Sequence, residues 1–201
     1  IGESMLKIFP DNKKQEEADI LEKIGRGEVV NHFQTVRKHK SGRLIDVSVT
    51  ISPVYDADGR IVAASKIARD ITEQVKAIRL SHEYQAIVES SEDAIYSLSL
   101  DGTVTSWNAG AEHIFGFSTD EILGQSVSAL YDEENPQSDD ILKAINSGES
   151  LEHYKTTRKN KDGFVMNMSE TVSPLQDQNG KVIGGSIIAR NITHDMAAQQ
   201  L

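Results

Sequence analysis

The chain has no cysteine, and that removes more chemistry than any other single feature. Without thiols there is no disulfide, no thiolate metal site and no sulfur nucleophile. The lack fits a reducing cytoplasm. No apolar run approaches the roughly 18 residues needed to cross a bilayer, and no signal-peptide pattern is present, so a cytoplasmic setting without a membrane segment is expected. Basic charge is also scarce: 21 Lys and Arg stand against 31 Asp and Glu, a net charge of -10. That balance argues against a nucleic-acid partner. The basic runs Arg37-Lys38-His39-Lys40 and Arg158-Lys159-Asn160-Lys161 flank turns and read as solvated hairpin tips. No nucleophile elbow, phosphate loop, zinc-binding helix or kinase motif occurs, so the chain is expected to carry no catalytic residues of its own.

What is present is a duplication. Ile20-Leu21 through Ile71-Thr72 aligns without a gap on Ile141-Leu142 through Ile192-Thr193. Roughly four positions in ten are identical, at a domain-sized spacing. The copies are unequal, because nothing in the first corresponds to the stretch from about Ser91 to Glu121. Two domains are expected: the C-terminal part of a first copy over 1–72 and a complete second copy over 91–193. A helical linker over 73–90 and the start of an output helix over 194–201 accompany them.

The complete copy reads as an antiparallel α+β domain. Ala94 to Leu100 alternates like a half-buried strand, Asp101-Gly102 supplies a tight turn, and Thr103 to Trp107 is a second strand. Asn108 stands where a helix N-cap belongs, and Gly116 ends that helix. Ile141, Leu142 and Ile145 form a helical stripe closed by Gly148. Strands follow over Leu151–Lys159, Phe164–Leu175 and Lys181–Ile192, with turns at Lys161-Asp162-Gly163 and Gln178-Asn179-Gly180. The first copy holds only the last helix, Gln15 to Ile24, and three strands. Between the copies, Val75, Ile78, Leu80, Tyr84 and Ile87 have helical spacing; Met196 and Leu201 take the places of Val75 and Leu80 after the second copy.

These residues together resemble the PAS sensory-domain family. Ser106-Trp107-Asn108-Ala109-Gly110-Ala111-Glu112 through Phe115-Gly116-Phe117, then Glu121-Ile122-Leu123-Gly124, are similar to its second strand, following helix and next turn. Lys161-Asp162-Gly163 with Ser173-Pro174, and Lys40-Ser41-Gly42 with Ser52-Pro53, resemble its fourth strand. The endings Asp70-Ile71-Thr72 and Asn191-Ile192-Thr193 match the triplet at which the family's last strand hands over to a signalling helix. In the second copy Asn191 stands where the family usually carries Asp. The resemblance implies a five-stranded sheet of order 2-1-5-4-3 with helices on one face. The first copy lacks the first two strands, which are expected to lie upstream in a longer protein or to come from another chain; without them its last strand is an open edge.

The family implies a ligand cup between sheet and helices, here around Trp107, Phe115, Ile141, Ile145, Tyr154 and Thr156. A cysteinyl-flavin is excluded by composition. Haem would need an axial histidine on the long helix, and 138–147 has none. Non-covalent flavin has Trp107 as its one candidate tryptophan, although that residue reads more readily as a large core side chain filling the cup; no cofactor is the leading expectation. His32 and His153 recur at matched positions without a second ligand nearby, so structural use is expected and no metal site. Glu121 and Lys161 resemble a family ion pair. The relay implied runs through Asp70, Ile71, Thr72 and Asn191, Ile192, Thr193 into the helices, across a homodimer seam including Val75 and Ile78. Its output would be a downstream histidine kinase, cyclic-dinucleotide enzyme or transcription regulator. The alternative is a ligand-free module for dimerisation or partner docking.

Overall fold

A computed structural model describes residues 2–132 and 139–194. The chain divides into two compact units, Ile1–His82 and Glu83–Leu201.

In the first unit, α1 (Gln15–Gly25) precedes β1 (Val30–Lys38), β2 (Leu44–Tyr55) and β3 (Ile61–Asp70). The strands form an antiparallel sheet of order β1-β2-β3. Val47, Val49 and Ile51 alternate inward from β2 and pack with Ile20 and Ile24 of α1, as a period-2 strand facing a helical stripe requires. Beyond β3 no strand lies alongside among the described residues.

Helix α2 spans Thr72–Glu89. It starts one residue before the expected linker.

The second unit contains β4 (Ala94–Ser99), β5 (Val104–Trp107), α3 (Ala109–Phe115), α4 (Thr119–Ile122), α5 (Asp139–Ser147), β6 (Leu151–Lys159), β7 (Val165–Gln176) and β8 (Val182–Asn191). The five strands run in the order β5-β4-β8-β7-β6, which is the expected 2-1-5-4-3. Leu100 is not on the strand face; it falls in the turn and is exposed. Asn108 caps α3 by accepting from Ala111 N, and it also accepts from Ile95 N while donating to the Val88 and Asp93 carbonyls. One buried amide thus ties helix, strand and incoming chain together. Helix α3 then lies so close to the Ser91–Asp93 turn that a Cβ on Gly110 would run into two backbone carbonyls there.

His32 and His153 have φ of 49° and 50°. Each sits in the bulge where β1 slips against β2, and β6 against β7. Histidine is among the few non-glycine residues that tolerate this backbone region, which accounts for the recurrence without a ligand.

Candidate sensory core and helix junctions

The inner face of the second sheet closes on an aromatic cluster. Tyr96, Trp107 and Phe115 have ring centroids 5.2, 5.5 and 6.1 Å apart, the separations at which tilted and edge-on rings attract. The Trp107 indole donates to the Phe117 carbonyl at 3.1 Å. Phe115, Ile141 and Ile145 are buried beside Met168, Val172 and Ile187, and Thr156 is buried too. Five of the six residues expected around the cup are therefore buried. Tyr154 is half-buried on the same strand face as Thr156 and Arg158, and its hydroxyl donates to Asp140. A surface groove of about 680 Å³ opens instead outside the cup, between Asp93, Gly110, His113, Ile114 and Arg190.

Sequence reasoning missed the most unusual feature of this core. Arg158 and Glu170 form a sealed ion pair, with Nη2 to Oε2 at 2.8 Å and side-chain exposures of 2% and 0%. The pair crosses from β6 to β7, and the guanidinium also donates to Thr156 Oγ1 and the Thr157 carbonyl. Arg158 Nε and Glu170 Oε1 are buried without a hydrogen-bond partner. Burial raises the Glu170 carboxyl above its ordinary range, with Arg158 opposing. The same burial pushes the Tyr96 phenol well up, and the neighbouring Glu170 charge adds to it. A signal was available: Glu170 occupies an inward position between Met168 and Val172, where the first copy has Val49.

The first copy holds its equivalent arginine differently. Arg37 stacks 3.8 Å from the Phe9 ring centroid and meets Glu16 of α1 at 3.1 Å. Thr35 donates to the same carboxylate oxygen at 2.7 Å. Next to it, Lys66 of β3 reaches both oxygens of Glu17 at 2.8 Å.

Both copies latch the strand end to the next helix through threonine. In the first, the Asp70 carboxylate accepts from Thr72 N and Thr72 Oγ1 at 2.9 and 2.6 Å. Thr72 Oγ1 in turn accepts from Asp46 N of β2 at 3.0 Å. These donors hold Asp70 below its ordinary range. The second copy repeats the plan: Asn191 Oδ1 accepts from Thr193 N at 3.0 Å, and Thr193 Oγ1 accepts from Asn167 N at 3.0 Å. Only Ile71, buried, and Ile192, half-buried, separate strand from helix. The second helix begins at Thr193, one residue earlier than expected; Met196 and Leu201 lie outside the described residues. Val75 is half-buried and Ile78 is exposed on α2.

Glu121 and Lys161 do meet, carboxylate to ammonium. Glu121 is lowered to about 2 by the Lys161 hydrogen bond, with Ser118 N and Oγ also donating to it. No cluster of His, Asp or Glu able to hold a metal occurs among the described residues. Among them, too, no helix is long and apolar enough to cross a membrane.

An antiparallel sheet of order β5-β4-β8-β7-β6, short helices packed against it and a last strand latched to a helix define a class of α+β sensory module. Family models described as the PAS fold match residues 1–76 and 82–192. The chain belongs to the PAS family and carries two PAS domains in tandem. It is 25% identical over 129 residues to the signal transduction histidine-protein kinase AtoS of Escherichia coli, covering 64% of this chain and 21% of that protein. It is 25% identical over 186 residues to the biofilm dispersion protein BdlA of Pseudomonas aeruginosa, covering 89% of this chain and 43% of the relative. The chain thus spans less than half the length of either. Among solved structures, a PAS domain from Colwellia psychrerythraea superposes with a TM-score of 0.52 at 24% identity, covering 57% of this chain and 98% of that one.

Proposed function

We propose that this chain is the sensory and relay region of a cytoplasmic signalling protein, and that it performs no catalysis itself. A change in the second core moves β8, and the latch at Thr193 passes that movement into the helix it begins. The first copy drives α2 in the same way through Asp70 and Thr72. The observation that carries this reading is the threonine latch, found twice: one hydroxyl joins the first turn of a helix to the strand beside the last strand. A helix start pinned in this way cannot reorient unless the strand pair moves as well.

The signal acts only if it favours one arrangement over the other. The helices pair in a homodimer. On α2 the seam includes Val75 and Ile78, three residues apart on one side of the helix; the exposed Leu80, Tyr84 and Ile87 fall on the other side. The output domain is a histidine kinase, cyclic-dinucleotide enzyme or transcription regulator, the first being what AtoS is named for. In the full-length protein, Thr193→Val removes the acceptor for Asn167 N. It should uncouple output from the second domain while leaving that domain folded; output that still tracks the domain would refute the relay.

A second reading, a ligand-free docking module, is favoured by one observation: side chains of Tyr96, Trp107, Phe115, Ile145 and Met168 fill the cup. Mass spectrometry of a denatured extract separates the two. A stoichiometric small molecule supports sensing by occupancy; none supports docking.

A further inference from the structure

The chain enters and leaves the second domain at neighbouring points. It enters through the last turn of α2 and the turn 91–93, and leaves through the end of β8 into the helix that starts at Thr193. Ala94 pairs with Ala189 at the end of the β4–β8 ladder. One residue further out, the Arg190 guanidinium grips the Asp93 carboxylate at two points, Nε to Oδ1 at 2.9 Å and Nη2 to Oδ2 at 2.7 Å. The hydrogen bonds from Arg190 outweigh the opposing effect of burial and hold Asp93 below its ordinary range, so both partners carry charge.

The entry side of this fork is tied down at several points. Asn108 donates to the Val88 carbonyl in the last turn of α2 at 2.9 Å and to the Asp93 carbonyl at 3.1 Å. Glu89, the last residue of α2, accepts from Ala109 N at 3.0 Å. No Cβ fits between Gly110 and the Ser91 and Asp93 carbonyls. The end of α2 and Asp93 are thus held as one body. The exit side is short: Arg190 precedes Asn191, whose Oδ1 accepts from Thr193 N at 3.0 Å. None of Glu89, Asp93, Arg190, Asn191 and Thr193 belongs to the core built on Tyr96, Trp107 and Phe115.

Stability is a poor account of the fork. Its side chains are 67% exposed at Arg190 and 25% at Asp93, and an ion pair so open to water adds little. Two parallel hydrogen bonds instead fix the orientation of one group against the other. We propose that Asp93 and Arg190 form a bypass across the second domain, passing movement of α2 to the helix at Thr193 without a change in the aromatic core. Two inputs then meet at residues 190–193, one from the core through β8 and one from α2 through the fork. The inference rests on the relay reading and adds a second route to it, by which the first copy acts on the output directly.

The test reads amide exchange by NMR in the 201-residue chain. Ala86→Gly, at an exposed position of α2, weakens the last turns of that helix and should speed their exchange about fivefold. Exchange at Thr193 N should rise with it, by at least about twofold, while Tyr96 N and Ile187 N in the core keep their protection. Adding Asp93→Ala or Arg190→Met should abolish the rise at Thr193. Phe115→Leu, which acts through the core, should still reach Thr193 in both of those backgrounds. The proposal is overturned by an unchanged Thr193 in Ala86→Gly, or by an undiminished rise in both fork variants. Lost core protection in both fork variants also overturns it, because the pair would then be a pin of strand register. If Ala86→Gly reaches Thr193 and Phe115→Leu does not, the core route falls and the bypass stands, so the two are judged separately.

Discussion

Removing the carboxylate of Glu170 strands a charge in the core of the second domain. Glu170→Val installs the first copy's residue at that register, an apolar side chain that favours strands. What remains is Arg158, 2% exposed at its side chain, without its ionic partner and with Nε already unpaired. An uncompensated buried charge of this kind costs about 3–5 kcal/mol. In a domain of this size that lowers Tm by at least ~10 °C. The companion variant, Arg158→Met with Glu170→Val, removes both charges and should fall within about 1 kcal/mol of wild type or exceed it, because the desolvation of two ions is then relieved. Trp107, the only tryptophan, lies in the same core, so urea unfolding followed by its fluorescence reports on this domain. The expected result is a lower midpoint at unchanged slope for the single variant and recovery in the double. A single variant losing less than about 1 kcal/mol, or a double variant as unstable as the single, would refute the reasoning.

Three further outcomes follow from the geometry. Phe115→Ala deletes a fully buried ring from the aromatic cluster and should cost about 3–5 kcal/mol in the same assay. Gly110→Ala, whose Cβ would meet the Ser91 and Asp93 carbonyls, should destabilise by about 1–3 kcal/mol, although alanine is the better helix former; unchanged stability would mean that α3 does not pack as described. Glu121, lowered to about 2 from an ordinary 4.5, contributes stability that is present above pH 4.5 and lost as pH falls towards 2. Carboxyl NMR titration should show that value rise in Lys161→Met, and an unshifted Glu121 would exclude the lysine as its cause.

The strand order, the turns and the junction triplets were legible because each rests on local chemistry: Asp101-Gly102 turns the chain, Asn108 caps, and alternation assigns faces. The repeat added a check, since both copies had to take one fold. The inward place of Glu170 was readable from its alternation with Met168 and Val172 and from Val49 at the same register, but its pairing with Arg158 was not, since a strand pattern does not name the neighbour in space. The Glu16 and Glu17 contacts were equally unreadable, since they join residues as many as 49 positions apart. Asp70 and Thr72, by contrast, were visible through the triplet, but the strand amide that Thr72 accepts, Asp46 N, was not.

Amide hydrogen exchange at the second junction tests the relay most directly. Phe115→Leu loosens the core without touching Asn167, Asn191 or Thr193. If the last strand and its helix are one mechanical unit, protection at Asn167 N and Thr193 N should fall together in that variant. In Thr193→Val the core change should no longer reach residue 193. Unaltered protection at both amides in Phe115→Leu, with the core demonstrably loosened, would contradict transmission from sheet to helix.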